Sequence, residues 1–144
     1  MKKPVFITIV TSLLILLFTY TALSKLLDYR VFVRSLSESP LIHKGADTIG
    51  WLLPATELLV VLLLFFERSR KAGLYASLTL LVLFTLYLLY MVLFVADLPC
   101  SCGGVLRQLS WRQHVWFNLF FIIMNVLGLF ALRKQVQAFK NIQY

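Results

Sequence analysis

The stretch "VFITIVTSLLILLFTYTALSKLL", residues 5–27, carries a single charge, Lys25, near its end. An α-helix rises about 1.5 Å per residue and a bilayer's hydrocarbon core is about 30 Å thick, so about 20 apolar residues cross it. This stretch is long enough. Lys2 and Lys3 precede it, and Pro4 suits the first turn of a helix, where its missing N–H would be unpaired anyway. The basic start and the small-residue run Ala22-Leu23-Ser24 also resemble a cleaved signal peptide. A signal's apolar region spans only about 7 to 15 residues, however. The expectation is a retained first membrane helix.

Working outward, three more segments qualify: 49–66, 72–96 and 114–132. The expected fold is all-α, a four-transmembrane-helix bundle forming one domain, with external loops at 28–48 and 97–113. Composition agrees. The 144 residues are 60% hydrophobic and 14% charged, against about a quarter charged in a soluble domain. Asp47 or Thr48 is the expected cap of the second spanning helix, and Ser110 with Gln113 has capping-box spacing ahead of the fourth. Tyr29, Trp51, Trp111 and Trp116 fall near interfaces, where amphipathic rings settle. The loop containing "SLSESPLIHKGAD" is expected to hold a short interfacial helix. There is no repeat or low-complexity tract.

The net charge of +8 does not point to nucleic acid, because the basic residues sit in short clusters beside apolar segments rather than in an aromatic-interleaved stripe. Topology explains them. With the N-terminus inside, the cytoplasmic pieces hold Lys2, Lys3, Arg68, Arg70, Lys71, Arg133, Lys134 and Lys140, with Glu67 the acid among them. The other side holds Lys25, Arg30, Arg34, Lys44, Arg107 and Arg112, offset by Asp28, Glu38, Asp47 and Asp97. The positive-inside rule therefore puts both termini in the cytoplasm.

The loop at 97–113 opens with "DLPCSCGGV", residues 97–105, and carries both cysteines of the chain, Cys100 and Cys102. In this topology they face outward, where disulfides persist. An extended backbone holds Cα atoms two positions apart near the upper limit of about 7 Å for a disulfide, so bonding needs the chain to fold back. Gly103 and Gly104 ease that. A bond closed across one residue is strained, hence easily reduced and oxidising toward other thiols. The dipole of the helix that follows, with Arg107 and Arg112, favours a thiolate; Asp97 opposes it. Two other readings stay open: a glycine-rich turn with idle cysteines, and a metal site from Cys100, Cys102 and His114, with or without His43. The spacing matches no familiar zinc pattern, and no metal is expected.

Glu57 is the acid that lies well inside an apolar run, where an unpaired carboxylate is costly. Lys25 sits at comparable depth, so the pair is read either as a structural Lys25–Glu57 ion pair or as a proton acceptor, Glu57, near the cysteines. Tyr87 and Tyr90, one turn apart, are weak candidates for the lining of the same pocket. Thr8, Thr11, Ser12, Thr19 and Ala22 form a small, hydroxylated stripe suited to helix packing in lipid. His114, with Trp111 and Asn118 around it, is either an interfacial cap residue or a proton shuttle.

Together "ALSKLLDY" closing the first helix, "LLPATELLVVLLL" in the second, "CSCGG", and "SWRQHVWFN" opening the fourth resemble the MauE/DoxX group of small bacterial membrane proteins, in particular its MauE branch. The resemblance spans nearly the whole chain. It implies a four-helix protein of the bacterial cytoplasmic membrane whose Cys-x-Cys lies near the extracytoplasmic surface. Cys100 and Cys102 match the family's cysteines, and Lys25 and Glu57 its membrane Lys and Glu. It further implies a role in maturing methylamine dehydrogenase, whose small subunit is rich in disulfides, beside a thioredoxin-like partner. Gly103 departs from the aromatic that the family often has after the second cysteine. Vitamin K epoxide reductase-type enzymes need a Cys-x-x-Cys and usually a second pair, which this chain lacks.

The function expected is disulfide exchange through Cys100 and Cys102 with an exported thioredoxin-like protein or its client, with Glu57 or His114 handling protons. The rival is a non-catalytic DoxX-like anchor of a quinone-linked complex, in which quinone would be the cofactor and the cysteines would matter little.

Overall fold

The computed structural model describes residues 2–94 and 110–143, without the side chains of Lys2 and Lys3. In order the helices are α1 (Lys2–Leu27), α2 (Tyr29–Ser37), α3 (Ala46–Phe65), α4 (Arg70–Phe94) and α5 (Trp111–Ile142), with a 3-10 turn at His43–Gly45 leading into α3. All but α2 are long and apolar enough to cross a membrane. Lipid offers backbone groups no hydrogen bonds, so each crossing must satisfy its own. No strand occurs among the described residues.

The ends differ from expectation in instructive ways. Neither Asp47 nor Thr48 caps α3: it starts at Ala46 with Gly45 at the cap position and no side-chain capping bond. The chain is already turning upstream, through His43 N–H to the Ser39 carbonyl and Gly45 N–H to the Ile42 carbonyl. Asp47 instead lies in the first turn, where a carboxylate meets the positive end of the helix dipole. α5 starts at Trp111 behind a complete Ser110–Gln113 capping box. It continues past residue 132 through "RKQVQAFKNI", which contains no glycine or proline to stop it.

The four spanning helices close a ring, α1–α3–α4–α5, in which each packs against two neighbours. Successive members run antiparallel. Val10, Leu14 and Phe18 of α1, Val60 and Leu64 of α3, Leu74 and Leu81 of α4, and Phe121 and Leu129 of α5 form the core. At the α3–α4 corner the two helices nearly touch: a Cβ on Gly73 would lie 2.8 Å from the Leu64 backbone nitrogen. Deeper in, the Asn125 amide and Ser77 hydroxyl, both fully buried, are hydrogen-bonded at 2.6 Å and tie α5 to α4.

The buried face of α1 is Ile7, Val10, Thr11, Leu14, Phe18, Ala22 and Lys25. This corrects the hydroxyl stripe, since Thr8 and Ser12 are exposed. Thr8 and Thr11 each donate to the carbonyl four residues back. A hydroxyl satisfied within its own helix carries no demand for an interior position.

The amphipathic α2 lies against the first turns of α3, burying Phe32 and Leu36 on Ala46 with Ile49 and Leu53 alongside. Gly50 permits the approach, because a Cβ there would come 2.7 Å from Val33 Cγ2. Arg30 and Arg34 stay exposed. A short helix was expected in this loop, and α2 is that helix, at one end of the bundle.

Candidate functional site

At the α2 end five helices meet around one ammonium group. Lys25 lies near the end of α1, and Glu57 about three turns below the start of α3 at Ala46. α3 begins at Ala46, three residues before the expected 49, and α2 packs on that added first turn. Lys25 Nζ donates to Glu57 Oε1 at 2.5 Å, and both side chains are buried. The same Nζ is 5.8 Å from the ring centroids of Phe32 on α2 and Phe84 on α4. Both distances are within the range of a cation–π attraction. Phe84 in turn meets the His114 ring of α5 at 5.5 Å.

What is left over is more telling. Glu57 Oε2, His114 Nε2 and Asn118 Nδ2 are buried without a hydrogen-bond partner among the described residues. A polar atom left in that state costs about 1–3 kcal/mol. All three side chains line one cavity of about 60 Å³, together with Lys25, Tyr20 and Phe84. A water needs about 10–15 Å³ in this measure and two to four polar partners, so the cavity fits a few waters or one small polar group. An acid, an imidazole and an ammonium facing such a space can bind, relay or store a proton.

Cys100 and Cys102 lie outside the described residues. Tyr87 and Tyr90 do not line the cavity. Tyr87 stacks on Phe84 at 6.3 Å, and Tyr90 packs against Phe94 at 5.4 Å. Tyr20 and Phe84 supply the aromatic lining instead. His43 is exposed in the 3-10 turn. Among the described residues no three acidic, histidine or cysteine side chains group as metal ligands would.

Phe84, Phe32 and Tyr20 escaped the sequence reading, because an aromatic in an apolar helix carries no mark of what it faces. Asn118 was named only as a neighbour of His114; the signal that could have placed it inside is that His114, Asn118 and Asn125 fall on one side of α5, and polar groups on one face of a membrane helix point inward.

The family model described as methylamine utilisation protein MauE matches residues 3–131. No curated protein and no solved structure matches the chain. The matched span takes in all four crossings down to Ala131, the Lys25–Glu57 pair, His114 and both cysteines. A multi-pass membrane chain matched over most of its length in this way belongs to the methylamine utilisation protein MauE family.

Proposed function

We propose that this MauE-family protein exchanges disulfides through Cys100 and Cys102 with an exported thioredoxin-like protein or its disulfide-bearing client, and that Glu57 and His114 carry the protons. The observation behind this reading is the trio of unpartnered atoms, Glu57 Oε2, His114 Nε2 and Asn118 Nδ2, on side chains lining one cavity. That cavity lies in the half of the bundle where α5 starts, with His114 of its first turn in the lining. Cys102 lies eight residues before Ser110, a tether of up to roughly 28 Å at full extension. In this reading a thiol on that tether meets the cavity.

In the exchange, one thiolate of the pair attacks a sulfur of the partner's disulfide. A mixed disulfide forms as the partner's bond breaks, and one partner sulfur leaves as thiolate. The second cysteine, deprotonated, then displaces the first partner sulfur and closes the Cys100–Cys102 bond. Two electrons have passed from the pair to the partner. The pair has given up two protons and the partner's two sulfurs have taken up two. The reverse sequence oxidises the partner. Glu57 Oε2 and His114 Nε2 are the cavity atoms able to hold a proton between these steps.

The topology that goes with this function has both termini in the cytoplasm of a bacterial inner membrane and the cysteines on the extracytoplasmic side, as the basic residues favour. The family's description supports methylamine utilisation as the setting, with the disulfide-rich small subunit of methylamine dehydrogenase as client. At the Lys25–Glu57 site itself a quinone has little room: that cavity, of about 60 Å³, falls well below the roughly 300–1,000 Å³ of pockets that bury ligands of drug size.

The test is labelling of intact cells with a membrane-impermeant maleimide, before and after reduction. The expected result is weak labelling that rises sharply on reduction. Labelling only after the membrane is permeabilised would end the proposal.

A further inference from the structure

The opposite end of the bundle holds a second cavity, of about 290 Å³, lined by Lys71, Leu129, Leu132, Arg133, Val136 and Gln137. It lies between the first turn of α4 and the last turns of α5, where the apolar runs of both helices end. Disulfide exchange makes no use of it.

We propose that this cavity binds the headgroup and first acyl carbons of an anionic phospholipid. The charges ask for an anion. Neither Lys71 nor Arg133 has a carboxylate partner among the described residues. The first turn of α4 contains Arg70 and Lys71 and no acid. There the positive end of the helix dipole adds to the side-chain charges instead of being neutralised, an arrangement that favours a bound anion. Arg133 is held in place, since its Nη2 donates to the Tyr75 hydroxyl at 2.7 Å.

The walls ask for a lipid rather than a free phosphate. Leu129, Leu132 and Val136 form the apolar side, and acyl carbons suit it where a bare phosphate does not. Basic pockets between membrane helices at the bilayer boundary are a recurring form of lipid headgroup site. Below the cavity the outer faces of α4 and α5 are exposed and apolar, as at Leu127 and Phe130, which leaves a path for the chains.

The test uses the full chain, purified and delipidated in detergent, with lipid adducts counted by native mass spectrometry. Phosphatidylglycerol is expected to add one molecule at far lower concentration than phosphatidylcholine with the same chains. Lys71→Gln with Arg133→Gln should weaken that adduct about 30-fold, the loss expected for two cations at a membrane surface. Tyr75→Phe, which keeps both charges, should weaken it measurably. Lys134→Gln with Lys140→Gln, at the same end but outside the cavity, should leave it intact. Three results would overturn the site: equal binding of the two lipids, equal loss in both double variants, or displacement of phosphatidylglycerol by millimolar inorganic phosphate.

Discussion

Lys25 and Glu57 are 32 positions apart in the chain, yet the ammonium of one donates directly to the carboxylate of the other between two aromatic rings. Each makes the other tolerable in a medium that penalises a lone charge. Removing one partner strands its mate, at a cost of about 3–5 kcal/mol, whereas replacing both with apolar residues is often close to neutral. Glu57→Gln should therefore lower the melting temperature in detergent clearly, and Lys25→Met with Glu57→Met should recover most of it. Under the proposed function the double variant folds but exchanges disulfides slowly. Full exchange activity in a stable double variant would reduce the pair to a structural pin.

The contact between α2 and α3 gives a sharper packing test. Gly50→Ala brings a Cβ to 2.7 Å from Val33 Cγ2, the tip of a side chain. Val33→Ala should restore what Gly50→Ala loses. At Gly73 the obstacle is the Leu64 backbone, at 2.8 Å, so no side-chain deletion can relieve Gly73→Ala. Overpacking of this kind costs about 1–3 kcal/mol. Thermal melts of the two alanine variants, with and without Val33→Ala, separate the cases. Gly45→Ala, whose nearest neighbour is 3.8 Å away, meets no such obstacle, and its cost should be limited to the poorer N-cap that alanine makes for α3.

The Ser77–Asn125 bond ties α4 to α5 in the middle of the bundle. Such bonds within membranes average about 0.6 kcal/mol, with a maximum near 1.7. Ser77→Ala should cost little. Asn125→Ala should cost more, because it also leaves a hole among fully buried neighbours. A double-mutant cycle measured by thermal unfolding should give a coupling below about 2 kcal/mol.

The four crossings were legible because lipid imposes a length, and residues 5–27 meet it with a single charge. Lys25, Glu57 and His114 were legible for the opposite reason: a polar group in an apolar run stands out, and its cost calls for a partner. Interior faces were not. A helix apolar all round does not distinguish the side turned to lipid from the side turned to a neighbour. Hence the hydroxyl stripe of α1 pointed partly outward, and Tyr20 and Phe84 took the lining positions assigned to Tyr87 and Tyr90. Helix ends were also hidden. α5 outruns the membrane segment because helix propensity, not hydropathy, decides where a polar helix stops.

The two cysteines should behave unequally if they exchange disulfides. Cys102 is taken as the attacking residue, being nearer the glycines and α5. Cys102→Ser then leaves nothing to engage the partner. Cys100→Ser lets the attack proceed but removes the resolving thiol, so a mixed disulfide accumulates. Non-reducing gels of cells expressing each variant should show a reducible adduct with Cys100→Ser alone. Adducts with Cys102→Ser alone would reverse the two roles, and none with either would count against exchange.

His114 offers a variant in which stability and chemistry part company. Its Nε2 lacks a partner, and its ring already packs on Phe84 at 5.5 Å. His114→Phe keeps the aromatic contact, removes an unsatisfied buried nitrogen, and should leave the melting temperature unchanged or raise it. The same change deletes a proton carrier beside Glu57. Positioned acid–base groups contribute about 10²–10⁴-fold to the steps they serve. Exchange with a model dithiol substrate should therefore slow by at least about tenfold, while His114→Gln, which restores a hydrogen-bonding group but not a titrating one, should remain slow. Normal exchange rates in both variants would remove His114 from the proton path and leave Glu57 as the only candidate.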